Sequence, residues 1–163
     1  MTKHLYAAML ALALASPAMA ETYRIPEGKP IVTVDIPDDG WNASKIERGI
    51  ELSDDDDEVY LAIEAVESKD LKQAVEQAVA YLNREGVKVD RATEKKGEGK
   101  LGDFPVFDIG WNGKDQDGDV VVHLTVVEVA PERSVLFTYW ATPKGDKAQD
   151  EAIHNMAKSI KKL

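Results

Sequence analysis

Apolar and alternating runs along the chain predict about seven β-strands between residues 31 and 142. Prolines, glycines and aspartates separate these runs, as is typical of strands joined by turns. Residues 21–30 contain two prolines and a glycine, so we expect an irregular arm there, and we expect a loop at residues 94–100. The predicted strands are Ile31–Ile36, Lys45–Leu52, Glu58–Val66, Val87–Thr93, Val106–Trp111, Asp119–Val129 and Ser134–Thr142.

Two other segments carry apolar residues three and four positions apart, which predicts amphipathic helices. The first spans Ser68–Glu85, with Ser68 as the expected N-cap and Gly86 as the expected left-handed stop. The second begins at about Pro143 or Asp146 and has its apolar stripe between residues 152 and 160. Each helix has a single apolar stripe, so each should lie against a sheet with its other side in water.

This order of elements predicts an α+β fold, an α/β/α sandwich around a mainly antiparallel sheet of about six to seven strands. The long central strands are apolar on both sides, so both faces of the sheet should be covered. If residues 130–133 close a four-residue loop, Val129 lies opposite Ser134 in the last hairpin. That register pairs His123 with Trp140 on one face, and a slip of one residue would place them on opposite faces.

The first twenty residues have the pattern of a secretory signal peptide. A short basic start precedes an apolar run at residues 5–14, and Ala18-Met19-Ala20 is a typical cleavage site. An apolar run of roughly ten residues is too short to span a bilayer. We therefore expect cleavage after Ala20 and no stable membrane insertion after it. The expected organisation is a signal peptide at 1–20, an arm at 21–30 and a single domain at 31–163.

Composition narrows the partners and the compartment. The net charge of −10 disfavours binding to nucleic acid or to an anionic membrane surface. The chain has no cysteine, so neither disulfides nor thiolate chemistry is available, and apolar burial must stabilise the fold. Export without disulfides, together with the short signal peptide, predicts a Gram-negative periplasmic location.

Candidate catalytic and metal sites are sparse. Between residues 21 and 163 there are two histidines, His123 and His154, and no histidine pair has metal-ligand spacing. Asp115–Asp119 resembles a calcium loop, but valines stand where an EF-hand needs glycine and glutamate. The aspartates at 54–57 are more typical of an exposed turn than of a calcium site. We predict no catalytic residue, no resident metal and no cofactor.

The strongest candidates for a binding surface are aromatic. Tryptophans at strand ends commonly close the rim of a core, but they can also line a ligand groove. His123 and Thr125 belong to the predicted face that is less apolar and that also carries a tryptophan. The predicted binding residues are Trp41, Trp111, His123, Thr125 and Trp140.

Several segments together resemble the Mog1/PsbP-like superfamily, including its DcrB-type periplasmic members. The likeness spans residues 31–161 and includes Ile36–Trp41, the helix at 71–82, Gly102–Pro105 and Met156–Lys161. The resemblance implies an α/β/α sandwich around an antiparallel sheet. It implies no shared catalytic residues, because members act as binding or assembly factors with different partners.

The expected function is therefore that of an exported, non-enzymatic binding or accessory protein. It would engage a protein partner or a small ligand through a sheet face or an aromatic rim groove. Two alternatives remain open: a hydrolase-like enzyme with an unrecognised carboxylate site, and a weakly calcium-responsive envelope protein. A hydrolase would need a carboxylate with a raised pKa in a cleft.

Overall fold

The computed structural model describes residues 20–163. The predicted signal peptide, apart from Ala20, lies outside the described residues. Within them the chain forms ten strands, a short 3₁₀-helix at Ser68–Asp70 and the helices α1 (Leu71–Arg84) and α2 (Pro143–Lys158). The strands are β1 (Ala20–Ile25), β2 (Val32–Pro37), β3 (Trp41–Ile46), β4 (Gly49–Asp54), β5 (Val59–Glu67), β6 (Lys88–Leu101), β7 (Phe104–Lys114), β8 (Asp119–Ala130), β9 (Arg133–Ala141) and β10 (Lys161–Lys162).

The main sheet has seven strands in the order β3-β4-β5-β9-β8-β7-β6, and every neighbouring pair is antiparallel. A second sheet of three strands has the order β1-β2-β10. Helix α1 connects β5 to β6 and so crosses the main sheet from its middle to one edge. The predicted α+β fold around a mainly antiparallel sheet is confirmed.

Each face of the main sheet buries its own apolar cluster. The α1-side core joins Ala74, Ala78 and Leu82 of the helix to residues such as Leu124 and Leu136 of the sheet. The α2-side core joins Met156 to Leu61 and Phe137, and it also includes the small sheet. Both faces are thus covered, as the doubly apolar strands predicted.

Some predicted boundaries are wrong. The arm at residues 21–30 contains strand β1, which pairs along its whole length with β2. The predicted strand Lys45–Leu52 is instead parts of β3 and β4, which turn back at Glu47 and Arg48. The expected loop at residues 94–100 is part of β6, because its backbone pairs with β7 after an irregularity between Asp90 and Lys95.

The ends of α1 illustrate one wrong and one confirmed expectation. Ser68 lies in the 3₁₀-helix, and Asp70 occupies the N-cap position without a side-chain capping bond. Gly86 has a φ of +82°, the left-handed conformation expected of a helix stop. Helix α2 begins at Pro143, the earlier of its two predicted starts, and the Thr142 side chain accepts a hydrogen bond from the Gly145 N–H.

The predicted register of the last hairpin is also wrong. Ala130 does pair with Arg133, as the loop-based alignment requires, but the register shifts by one residue between Glu128 and Ala130. This β-bulge inserts an extra residue into β8, so His123 pairs with Tyr139 and not with Trp140. His123 therefore lies on the α2 face and Trp140 on the α1 face of the sheet.

Candidate functional site

A cavity of about 470 Å³ lies between α2 and the part of the main sheet formed by β5 to β9. We call it the α2-side pocket. Apolar side chains from six different elements line much of it, and they are Leu61, Leu101, Val106, Val127, Phe137 and Ile153. Its volume falls in the range of small-molecule pockets, which are commonly apolar with a few placed polar groups.

Three polar side chains in the pocket are bonded to one another. The Asp108 carboxylate accepts a hydrogen bond from Thr125 Oγ1 at 2.5 Å and lies 3.0 Å from His123 Nδ1. A carboxylate only accepts hydrogen bonds when ionised, so Nδ1 carries the proton in this contact. The pairing fixes the orientation of the imidazole ring within the pocket.

The β7–β8 hairpin explains why these three residues meet. Its register places Asp108 opposite Thr125 and Gly110 opposite His123. Asp108 is then the diagonal neighbour of His123 on the same face, within reach of its ring. A Cβ at Gly110 would lie 2.8 Å from His123 Cε1, so a side chain there would displace the imidazole.

The Asp108–His123 contact changes the pKa of both groups. The hydrogen bond to Asp108 raises the pKa of His123 above its ordinary value, although burial acts in the opposite direction. Burial alone would raise the pKa of Asp108, but the hydrogen bonds from His123 and Thr125 together lower it. The pair therefore favours a charged imidazolium beside a charged carboxylate.

Helix α2 supplies the other polar wall of the pocket. The Tyr139 hydroxyl donates a hydrogen bond of 2.8 Å to Asp146. The pKa of Tyr139 is raised above its ordinary value, mainly by burial and to a smaller extent by this hydrogen bond. Asp150 lines the pocket one helical turn later. It makes no ion pair or side-chain hydrogen bond within residues 20–163, so its carboxylate is available at the pocket.

Comparison with known proteins gives a fold and no closer relationship. No known sequence family matches the chain, and no curated protein matches it in sequence. Among solved structures, it is similar to a cyanobacterial PsbP (CyanoP) from Synechocystis sp. PCC 6803, with a TM-score of 0.60 and 9% identity. That alignment covers 95% of this chain and 99% of the other.

A second similar structure is LpqN of Mycobacterium tuberculosis, which is described as involved in cell envelope biogenesis. The TM-score is 0.55 at 12% identity, over 86% of this chain and 90% of LpqN. A protein from Bacteroides thetaiotaomicron VPI-5482 aligns with a TM-score of 0.54 at 11% identity. That alignment covers 81% of this chain and 45% of the Bacteroides chain. The chain has a Mog1/PsbP-like fold.

Within this Mog1/PsbP-like fold, the five predicted binding residues do not share one surface. His123 and Thr125 line the α2-side pocket together. Trp41 is buried in the α2-side core, outside the pocket lining. Trp111 is buried in the α1-side core, where its Nε1 donates a 3.1 Å hydrogen bond to Glu94. Trp140 lies on the α1 face, stacked on Tyr60 with 4.0 Å between ring centroids.

Sequence reasoning missed Asp108, Tyr139 and Asp146 as pocket residues. A signal for Asp108 exists: it is a lone carboxylate within a mainly apolar strand, and a four-residue turn at 115–118 would have placed it opposite Thr125. The β8 bulge places Tyr139 opposite His123, on the face of the sheet that lines the pocket. Asp146 lies in the first turn of α2, and helical periodicity does not predict its contact with a strand residue.

Two further features of the described residues concern metal ions and membranes. Within residues 20–163, no group of three or more histidine or carboxylate side chains is arranged to hold a metal ion. Among residues 20–163, neither helix is long and apolar enough to cross a bilayer.

Proposed function

We propose that this protein is a non-enzymatic binding or accessory protein of the bacterial periplasm and that its α2-side pocket binds a small ligand with an apolar body. The single observation that carries this proposal is the 470 Å³ cavity, with an apolar floor and internally bonded polar groups. Aliphatic and aromatic side chains would take up most of the ligand surface, while the few polar groups fix its orientation.

Export to the periplasm is supported by the signal-peptide pattern at residues 1–20. Similarity in fold to LpqN, a protein described as involved in cell envelope biogenesis, agrees with an envelope role. Intact-mass measurement of the exported protein should give a chain beginning at Glu21. A mass that retains the first twenty residues would contradict cleavage after Ala20.

The state of the carboxylates favours binding over acid catalysis. Where a carboxylate pKa shift is resolved among the described residues, the pKa is lowered, as at Asp108 and Glu58. A general acid working near neutral pH needs the opposite shift. Both carboxylate oxygens of Asp108 also have partners, His123 and Thr125, and this suits a structural role within a binding pocket.

Ile153 offers a direct test, because it lines the pocket from α2. We expect the neutral dye Nile red to gain fluorescence on binding wild-type protein and to bind Ile153→Trp at least about tenfold more weakly, since the indole would fill the cavity. His154→Trp is the matched control, because it adds the same bulk to an exposed position on the same helix. Equal dye binding by Ile153→Trp and wild type, with both folded by circular dichroism, would contradict the proposal.

A second candidate function rests on the Asp108–His123 pair. A carboxylate that orients an imidazole through Nδ1 is also found in hydrolases that use histidine as a general base. Here Thr125 donates its hydroxyl to Asp108 and so is not the nucleophile that such a base would activate. Hydrolysis of p-nitrophenyl butyrate that is lost in His123→Gln would favour this candidate; a rate equal to the buffer blank would oppose it.

A further inference from the structure

The charged side chains around the α2-side pocket indicate which charge its ligand should carry, which the apolar floor alone does not. Four carboxylates line the cavity: Glu98 on β6, Asp108 on β7, and Asp146 and Asp150 on α2. The positive groups that line it are Lys100 and the imidazole of His123. The acidic groups therefore outnumber the basic ones even when His123 is protonated.

The acidic groups differ in whether they are already paired. Asp108 is paired with His123, and one oxygen of Asp146 accepts the Tyr139 hydroxyl. Asp150 has an exposed side chain without an ion-pair or hydrogen-bond partner in the described chain, and it belongs to the same helix face as Asp146 and Ile153. An unpaired carboxylate thus stands beside the apolar floor, at the rim formed by α2.

We propose that the ligand of the α2-side pocket is an amphipathic amine, with an apolar body on the sheet floor and an ammonium group at Asp150 and Asp146. This inference rests on the proposed function, because it names the ligand class of the same pocket. Complementary charge would steer an ammonium group toward the α2 rim, whereas a carboxylate there would meet two like charges. Lys100 lies on the β6 side of the pocket.

The test uses three probes with one apolar body: 4-phenylbutylamine, 4-phenylbutan-1-ol and 4-phenylbutyrate. Their binding to purified protein at pH 7.5 and low salt is followed through the backbone amide NMR signals of Val127 and Ile153. We expect the amine to bind about tenfold more tightly than the carboxylate, with the alcohol between them. We expect Asp150→Asn to weaken amine binding about threefold, as for an exposed ion pair, without weakening alcohol binding.

Asp39→Asn is the matched control, because it makes the same charge change at an exposed position outside the pocket. It should leave amine binding unchanged. If the carboxylate or the alcohol binds as tightly as the amine, the inference about the ligand class is overturned while the pocket stands. If none of the three probes moves the Val127 and Ile153 signals at millimolar concentration, both the inference and the proposed function are overturned.

Discussion

At the scale of single residues, the Asp108–His123 contact links the pocket to pH. The raised pKa of His123 means that its ion pair stabilises the fold fully below the ordinary histidine value of about 6.5 and is lost as pH rises through the raised value. The lowered pKa of Asp108 means that its contribution is present above about pH 3.9 and is lost as pH falls through the lowered value. The pair should therefore contribute most between about pH 4 and pH 6.5.

Replacing His123 should expose this dependence. We expect His123→Gln to lower the free energy of unfolding by about 0.5–1 kcal/mol at pH 5.5 and by less at pH 8.5, because 44% of the histidine side chain is exposed and solvent screens the pair. Urea unfolding at both pH values measures the difference. His154→Gln, which removes an exposed histidine of α2, is the control. A His123→Gln effect that is equal at the two pH values would contradict the ion pair.

At the scale of elements, several side-chain contacts tie the start of α2 to the main sheet, and Thr142 is the one that also caps the helix. Thr142 accepts a hydrogen bond of 3.0 Å from the Gly145 N–H and donates one of 2.7 Å to Glu58. Gly145 is closely packed, since a Cβ there would lie 2.8 Å from the Glu58 carbonyl oxygen. The cap therefore fixes both the first turn of α2 and its distance from β5, which positions Asp146 and Asp150 at the pocket.

Two capping positions allow a paired experiment. We expect Thr142→Ala to lower the free energy of unfolding by about 1–2 kcal/mol, because the Gly145 N–H loses its partner. Ser68→Ala should have an effect below about 0.5 kcal/mol, because Ser68 makes no capping bond at the start of α1. Chemical unfolding of both variants measures the two effects. An equal loss in the two would mean that the cap at Thr142 is not what anchors α2.

Elements also set the limit of what the sequence could predict. The apolar stripe of α1 and its stop at Gly86 follow from local propensity and are confirmed, and α2 begins at the earlier of its two predicted starts. The second half of the edge strand β6, residues 94–100, was mistaken for a loop because a strand paired on one side needs little apolar character. The bulge near Val129 has no clear sequence signal, yet it decides which residues face the pocket.

At the scale of the whole molecule, the order of elements and the apolar pattern of the strands predicted the two-sided sandwich but not the site. A chain without cysteine must stabilise itself by burial, and two apolar clusters on opposite faces of one sheet provide it. The site depends on side chains from β7, β8, β9 and α2 meeting in space. Only His123 and Thr125 among the five predicted binding residues line the pocket, and the bulge accounts for one of the misses, because it places Trp140 on the opposite face from His123.

The two clusters should nevertheless unfold together, because β5, β8 and β9 contribute side chains to both. Leu82 of α1 and Met156 of α2 are each 1% exposed, one in each cluster. We expect Leu82→Ala and Met156→Ala each to lower the free energy of unfolding by about 2–4 kcal/mol, through lost burial and the cavity left behind. Leu163→Ala is the control, because Leu163 is 56% exposed and should change stability by less than about 0.5 kcal/mol.

Tryptophan fluorescence can report on each side separately. Trp41 belongs to the α2-side core and Trp111 to the α1-side core, so variants that keep only one of the two, with Trp140 also replaced, follow one cluster at a time. In a shared sheet, truncation of Leu82 should lower the unfolding midpoint reported by Trp41 as much as that reported by Trp111. Separate midpoints would mean that the two helices are held by independent cores, and the α2-side pocket could then open while the α1 side stays folded.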